Sequence, residues 1–239
     1  MATNDFDVDS LAAYLHVSPQ QVARMADRGK LPGRKVAGQW RFTQAEIHHW
    51  LEDRIGISDE DELIQMENVL DRHRGGHDAE TVSIVKMLPL EAIAVPLNAR
   101  TRGSVIDEMT RLAAQTGWLW DPERMSVALR EREELHPTAL DNGVALLHPR
   151  RPMPNLLAEP FLALGRTYQG VPFGGVRGGL TDIFFLILST DDRGHLRTLA
   201  RLSRLLSDSS SLDGLRCCAD PAETRDWIAL REAELFGGS

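Results

Sequence analysis

The run Ile183-Phe184-Phe185-Leu186-Ile187-Leu188 is the longest uninterrupted apolar stretch in the chain. A strand made of such residues has no face suited to water, so it must be covered on both sides. The run is far short of the ~20 residues that cross a bilayer. It therefore asks for a sheet inside a layered domain. Val144 to Leu147 and Pro160 to Gly165 have the same character, and helical patterns alternate with them. Thr101 to Gln115 carries apolar residues at 105, 106, 109, 112 and 113, with Gly117 as a stop. Asp121-Pro122 is a helix start, Asp as cap and Pro in the first turn, after which Met125, Ala128 and Leu129 face inward. Asp191 and Asp192 precede another helix whose Leu196, Leu199, Leu202, Leu205 and Leu206 face the core. The expected fold class is α/β, a mixed sheet flanked by helices.

Charge divides the chain. Its net charge of −8 argues against nonspecific nucleic-acid binding by the whole molecule. Yet Arg24, Arg28, Lys30, Arg34, Lys35 and Arg41 face one acid, Asp27, in the same stretch. After Leu51 the sign reverses: Glu52, Asp53, Asp59, Glu60, Asp61, Glu62, Glu67 and Asp71 crowd together, and Arg72 to Asp78 reads as loop. Three segments follow: a small domain at 1–55, an acidic linker at 56–79 and the α/β domain at 80–239. The acidic, polar start is no secretory signal, and the two cysteines, Cys217 and Cys218, are adjacent and cannot staple distant segments. A reducing cytoplasm is the expected compartment, and no membrane partner is expected.

In the first segment, Ser10 to Leu15 is helical, and Ser18-Pro19 caps and opens a second helix. Val22, Ala23 and Met25 pack inward, while Gln20, Gln21, Arg24 and Arg28 project outward. Arg34 to Phe42 reads as a hairpin with a glycine turn, and a third helix runs from Thr43 to Leu51. Trp40, Phe42 and Trp50 are expected in the core. The LAAYL opening, the VSPQQV turn, the RGKLPGRK entry to the wing, the WRF strand and the HHWL ending together resemble the excisionase-like, MerR-related winged helix-turn-helix family. That resemblance implies binding to duplex DNA through the second helix and the wing. Gln20, Gln21 and Arg24 would reach base edges, and Arg28, Arg34, Lys35 and Arg41 would contact phosphates. Dimers are common in this class, but no interface is readable here.

In the second domain the most informative segment is REREELHPTALDNGVALLHPR, Arg130 to Arg150. A helix end and a polar turn lead into the strand Val144–Leu147, which delivers His148 at its exit. Such a histidine can be held rigidly with one nitrogen available for attack on a phosphoryl donor. Arg132 offers a permanent, fork-shaped charge. His195 lies in the first turn of its helix, near the positive end of the dipole.

The spacing of Arg132-Glu133, Thr138, Asn142-Gly143 and His148, with His195 opening a later helix after TDIFFLILS, resembles the fructose/mannitol-type enzyme IIA domain of the bacterial phosphotransferase system, including its nitrogen-regulatory relatives. The resemblance covers about residues 80–236. It implies that His148 accepts a phosphoryl group from a histidine phosphocarrier protein, with Arg132, Thr138 and His195 as stabilisers. One residue departs: the family usually has proline immediately before this histidine, whereas this chain has Leu147 and places Pro149 after it.

The expected function is a DNA-binding regulator with a phosphohistidine intermediate. The rival readings are a sugar-uptake component relaying phosphate to an enzyme IIB, and a binding module unable to be phosphorylated, for which Leu147 is the main argument. No cofactor is expected, and His48-His49, His73 and His77 do not make a metal-ligand set. The glycines at 170, 174, 175, 178 and 179 match no nucleotide-binding loop; they are expected in a hairpin leading into Thr181.

Overall fold

A computed structural model describes residues 5–15, 17–57, 82–175 and 178–237. The chain separates into two compact units, Met1–Glu80 and Thr81–Ser239.

The first unit runs β1 (Asp5–Phe6), α1 (Val8–Leu15), α2 (Pro19–Asp27), β2 (Arg34–Val36), β3 (Gln39–Thr43) and α3 (Gln44–Ile57). Ser18 caps α2 by accepting from the Gln21 N–H, with Pro19 in the first turn. Leu11, Ala12, Leu15, Val22, Ala26, Phe42, Ile47 and Leu51 form the core. Of the α2 residues expected inside, Val22 is buried whereas Ala23 and Met25 are half-buried, because Ala26 takes the inner position one turn on. The wing is the antiparallel pair β2–β3, turned by Ala37 and Gly38, both at positive φ. Phe42 is buried as expected. Trp40 and Trp50 are only half-buried: each keeps its indole N–H at the surface, donating to Asp27 Oδ1 (3.2 Å) and to the Lys30 carbonyl (2.8 Å). Helix α3 continues past Leu51 to Ile57. The expected linker at 56–79 thus begins with helical backbone, and from residue 58 it lies outside the described residues, as do His73 and His77.

The second unit carries β4 (Ile93–Ala94), α4 (Arg102–Ala114), α5 (Pro122–Leu135), β5 (Val144–Leu147), β6 (Phe161–Pro172), β7 (Leu180–Leu188), α6 (Asp192–Leu205), α7 (Ser209–Cys217) and α8 (Pro221–Phe236). Its sheet has the order β4-β6-β7-β5; β6 and β7 are antiparallel, whereas the two outer strands run parallel to their neighbours. The sheet is mixed, as the sequence requires. Residues 183–188 are all buried, the double coverage that an unbroken apolar run demands. Thr101 caps α4, Asp121 caps α5 and Asp191 caps α6, each accepting from a backbone N–H three residues on. Thr101 is thus the cap of α4 and outside its helical turns. Strand β6 outruns its apolar stretch and reaches Pro172, with a register irregularity between Arg166 and Val171. Gly170, expected in the turn, lies inside β6, whereas Gly174, Gly175, Gly178 and Gly179 fall between the end of β6 and the start of β7. Among the described residues, no helix is long and apolar enough to cross a membrane.

Candidate functional site

Strand β5 is one of the two edges of the sheet, with β7 on one side. On its other side the Leu140 N–H donates to the Val144 carbonyl (2.7 Å) and the Leu146 N–H to the Thr138 carbonyl (3.2 Å). Backbone groups alternate sides along a strand, so those of Ala145 and Leu147 face β7, in register with Phe184 and Leu186. Leu147 therefore presents to β7 an N–H that proline would lack. The turn before β5 is pinned from several directions. Gly143, at φ +88°, accepts through its carbonyl from the Asp182 and Ile183 N–H groups, and Arg216 of α7 bonds Asp182 and the Asn142 carbonyl.

His148 leaves β5 buried, with Nδ1 2.8 Å from the Leu146 carbonyl. A carbonyl can only accept, so Nδ1 carries a hydrogen, and in the neutral ring the lone pair is then on Nε2. His195 comes from the first turn of α6, also buried, its Nδ1 3.5 Å from Ser189 Oγ at the end of β7. The two rings meet with centroids 4.8 Å apart and planes at 50°. Two histidines distant in sequence thus converge at one end of the sheet.

Arg132 and Glu133, in the last turn of α5, are both buried. The surface ion pair that an exposed Arg-Glu step would make is not their arrangement. Arg132 donates to the His136 carbonyl at 2.7 Å, holding the helix end. Glu133 accepts from the Thr138 hydroxyl, from the Thr138 N–H (3.2 and 3.3 Å to its two oxygens) and from Arg102 of α4 at 3.0 Å. Burial pushes the Glu133 carboxyl above its ordinary value near 4.5, opposed by the two Thr138 bonds and the Arg102 charge. Sequence reasoning did not single out Glu133 or Arg102 as site residues. The signal for Glu133 was the helical period: Met125 and Leu129 are buried, and the same face continues to Arg132 and Glu133. Nothing local marks Arg102.

In the first unit Gln20, Gln21, Arg24 and Arg28 are exposed. The first three lie within an arc of about 100° on α2, at 100° per residue. Arg34 and Lys35 of the wing are exposed and Arg41 is half-buried. Each has an acid beside it: Arg34–Asp5 at 3.4 Å, Lys35–Asp27 at 3.4 Å and Arg41–Asp7 at 3.6 Å. Lys35 Nζ also stands 4.9 Å from the Trp40 ring centroid. His48 is hydrogen-bonded to the Tyr14 hydroxyl at 3.0 Å, and His49 lies 3.6 Å from Glu52.

A mixed sheet under helices, with two histidine rings touching at the end of an edge strand, joined in one chain to a helix-turn-helix unit, defines a two-part protein of the enzyme IIA class. Residues 86–230, more than half of the chain, match the family model described as "Phosphoenolpyruvate-dependent sugar phosphotransferase system, EIIA 2", and residues 6–55 match a helix-turn-helix domain. The chain belongs to the EIIA 2 family of the sugar phosphotransferase system. It is 30% identical over 153 residues to a nitrogen regulatory protein of Bradyrhizobium diazoefficiens, spanning 63% of this chain and 97% of that protein. It is 28% identical over 127 residues to the fructose-specific EIIABC component of Bacillus subtilis, spanning 52% of this chain but only 20% of that longer protein. The fold is shared with the nitrogen regulatory protein IIA-Ntr of Neisseria meningitidis (24% identity, TM-score 0.55, 61% of this chain and 98% of that one). It is shared also with the mannitol IIA of Escherichia coli (20% identity, TM-score 0.53, 59% of this chain and 97% of that one).

Proposed function

We propose that this chain is a DNA-binding regulator in which residues 80–239 accept a phosphoryl group on His148 from a histidine phosphocarrier protein, and residues 1–55 bind duplex DNA. The observation that carries the reading is the hydrogen bond between His148 Nδ1 and the Leu146 carbonyl. With Nδ1–H held by the Leu146 carbonyl, the neutral ring carries on Nε2 the lone pair that makes the in-line attack on phosphorus. The new Nε2–P bond forms as the P–N bond to the carrier's histidine breaks, and the leaving ring takes that electron pair. Charge on the transferring group is offset by Arg132 and by the neighbouring His195. Thr138 orients the nucleophile, since its carbonyl pairs with Leu146 and its single hydroxyl proton is given to Glu133. For DNA, Gln20, Gln21 and Arg24 read base edges while Arg28, Arg34, Lys35 and Arg41 contact phosphates.

The test is incubation of the full chain with the general phosphotransferase proteins and labelled phosphoenolpyruvate. The wild type takes up acid-labile label, His148→Ala takes up none with unchanged circular dichroism, and His195→Ala labels more slowly. No labelling of a folded wild-type chain overturns the reading. Onward transfer to an added enzyme IIB would point instead to a transport role.

A further inference from the structure

Resting on the reading of His148 as acceptor, we infer that Glu133 is a positioning residue that, with Arg102 and Thr138, sets the orientation and tautomer of His148 through the outer edge of β5. The links are continuous. Arg102 holds the Glu133 carboxylate at 3.0 Å and also donates to the Glu133 carbonyl, so helix α4 braces the end of α5. Glu133 takes both the N–H and the hydroxyl of Thr138. Thr138 in turn supplies the carbonyl that binds the Leu146 N–H, and the carbonyl of that same Leu146 holds His148 Nδ1. Both polar groups of Leu146 are therefore engaged by this chain of contacts.

The arrangement is suited to positioning because β5 has a regular strand partner on one side only. Among the described residues its other side is held by residues 138–140, through the two backbone bonds that make up the Ala139–Ala145 bridge. An edge so briefly paired slides or frays unless its covering segment is anchored. Glu133 provides that anchor from inside the protein, almost wholly buried, where a hydrogen bond to a charged group is strong and an unpaired one is costly. Further support is steric: Pro137 packs against Gly174, where an added Cβ would lie 2.9 Å from the proline ring. A one-ångström displacement of an attacking atom can cost a large factor in rate, roughly a hundredfold at the upper end.

The experiment uses the full chain and two readouts. The first is the nitrogen NMR signature of the His148 ring in unphosphorylated protein. The wild type shows the Nδ1–H tautomer, whereas Glu133→Gln and Thr138→Val show a mixture of tautomers. The second is the rate of labelling by the phosphocarrier. Both variants are roughly 10- to 100-fold slower in the maximal rate, with little change in the carrier concentration at half-saturation. Thr138→Ser, which keeps the hydroxyl, recovers most of what Thr138→Val loses, and Glu134→Gln, an exposed neighbour, labels as the wild type does. An unchanged ring signature and unchanged rate in both folded variants overturns the inference. Should one variant fail to fold, the other decides. If the wild type itself takes no label, the acceptor reading fails, while the ring signatures still decide whether Glu133 positions His148.

Discussion

Gly143→Ala tests the turn that launches β5, and its cost can be worked from the structure. The residue has φ +88°, outside what an alanine adopts freely. Holding a non-glycine residue at such a φ costs about 1–3 kcal/mol. The added Cβ would lie 2.7 Å from Arg216 Nη2 and 3.1 Å from Asp182 Oδ1. Relief requires Arg216 to swing away from Asp182 and from the Asn142 carbonyl, which it binds at 2.8–3.0 Å. That ion pair is about a third exposed, so solvent screening limits its loss to about 1 kcal/mol. The two contributions together predict a destabilisation of about 2–4 kcal/mol. For a unit of this size that lowers the melting temperature by about 2–4 °C per kcal/mol. Urea denaturation followed by circular dichroism measures it. Gly179→Ala serves as control, because an added Cβ there meets nothing within 4 Å, and its change should stay within about 0.5 kcal/mol. If Gly143→Ala is as harmless as Gly179→Ala, the reasoning about the turn is wrong.

Three further outcomes are expected. Because burial raises the Glu133 carboxyl above 4.5, the folded state holds more protons than the unfolded state between 4.5 and the raised value. Stability therefore falls as pH rises through that window, and Glu133→Gln, compared with wild type in urea melts at several pH values, should remove this slope. Asp27→Asn frees Lys35 from its 3.4 Å ion pair, so the variant should bind duplex DNA more tightly at low salt, with a steeper loss as salt rises, in a fluorescence titration. Full phosphorylation of the chain should change its affinity for specific DNA by a factor of about 5–150 at fixed salt, the usual range of coupling between sites; equal affinities would mean that the phosphate does not regulate binding.

Local chemistry made much of the fold legible. Ser18-Pro19, Asp121-Pro122 and Asp191 announce helix starts because a capping oxygen and a preset φ act within a single turn. Val144–Leu147 could be bounded to the residue, since its apolar run ends sharply at Gly143 and His148. Elements that exist only through tertiary pairing were not visible. Strand β1 is two residues long and forms because Asp5 and Phe6 meet Thr43 and Phe42. Strand β4 is equally short and depends on Leu164 and Gly165. Helix α8 opens on Asp220-Pro221, the same start signal as Asp121-Pro122.

At the candidate site, spacing along the chain pointed to His148 and His195, and the fold brings their rings together. The part that could not be read was the support. Arg102 reaches Glu133 across 31 residues of sequence, and only the packing of α4 on α5 creates that pair. The hydroxyl partner of Thr138 was equally illegible, because it is set by the burial of Glu133.

The central claim concerns one nitrogen atom. The full chain, phosphorylated by the phosphocarrier, can be examined by peptide mapping together with phosphorus–nitrogen NMR of the labelled ring. The hydrogen bond from Nδ1 to the Leu146 carbonyl predicts phosphate on His148, bonded through Nε2. Phosphate on another residue, or on His148 through Nδ1, would contradict the account.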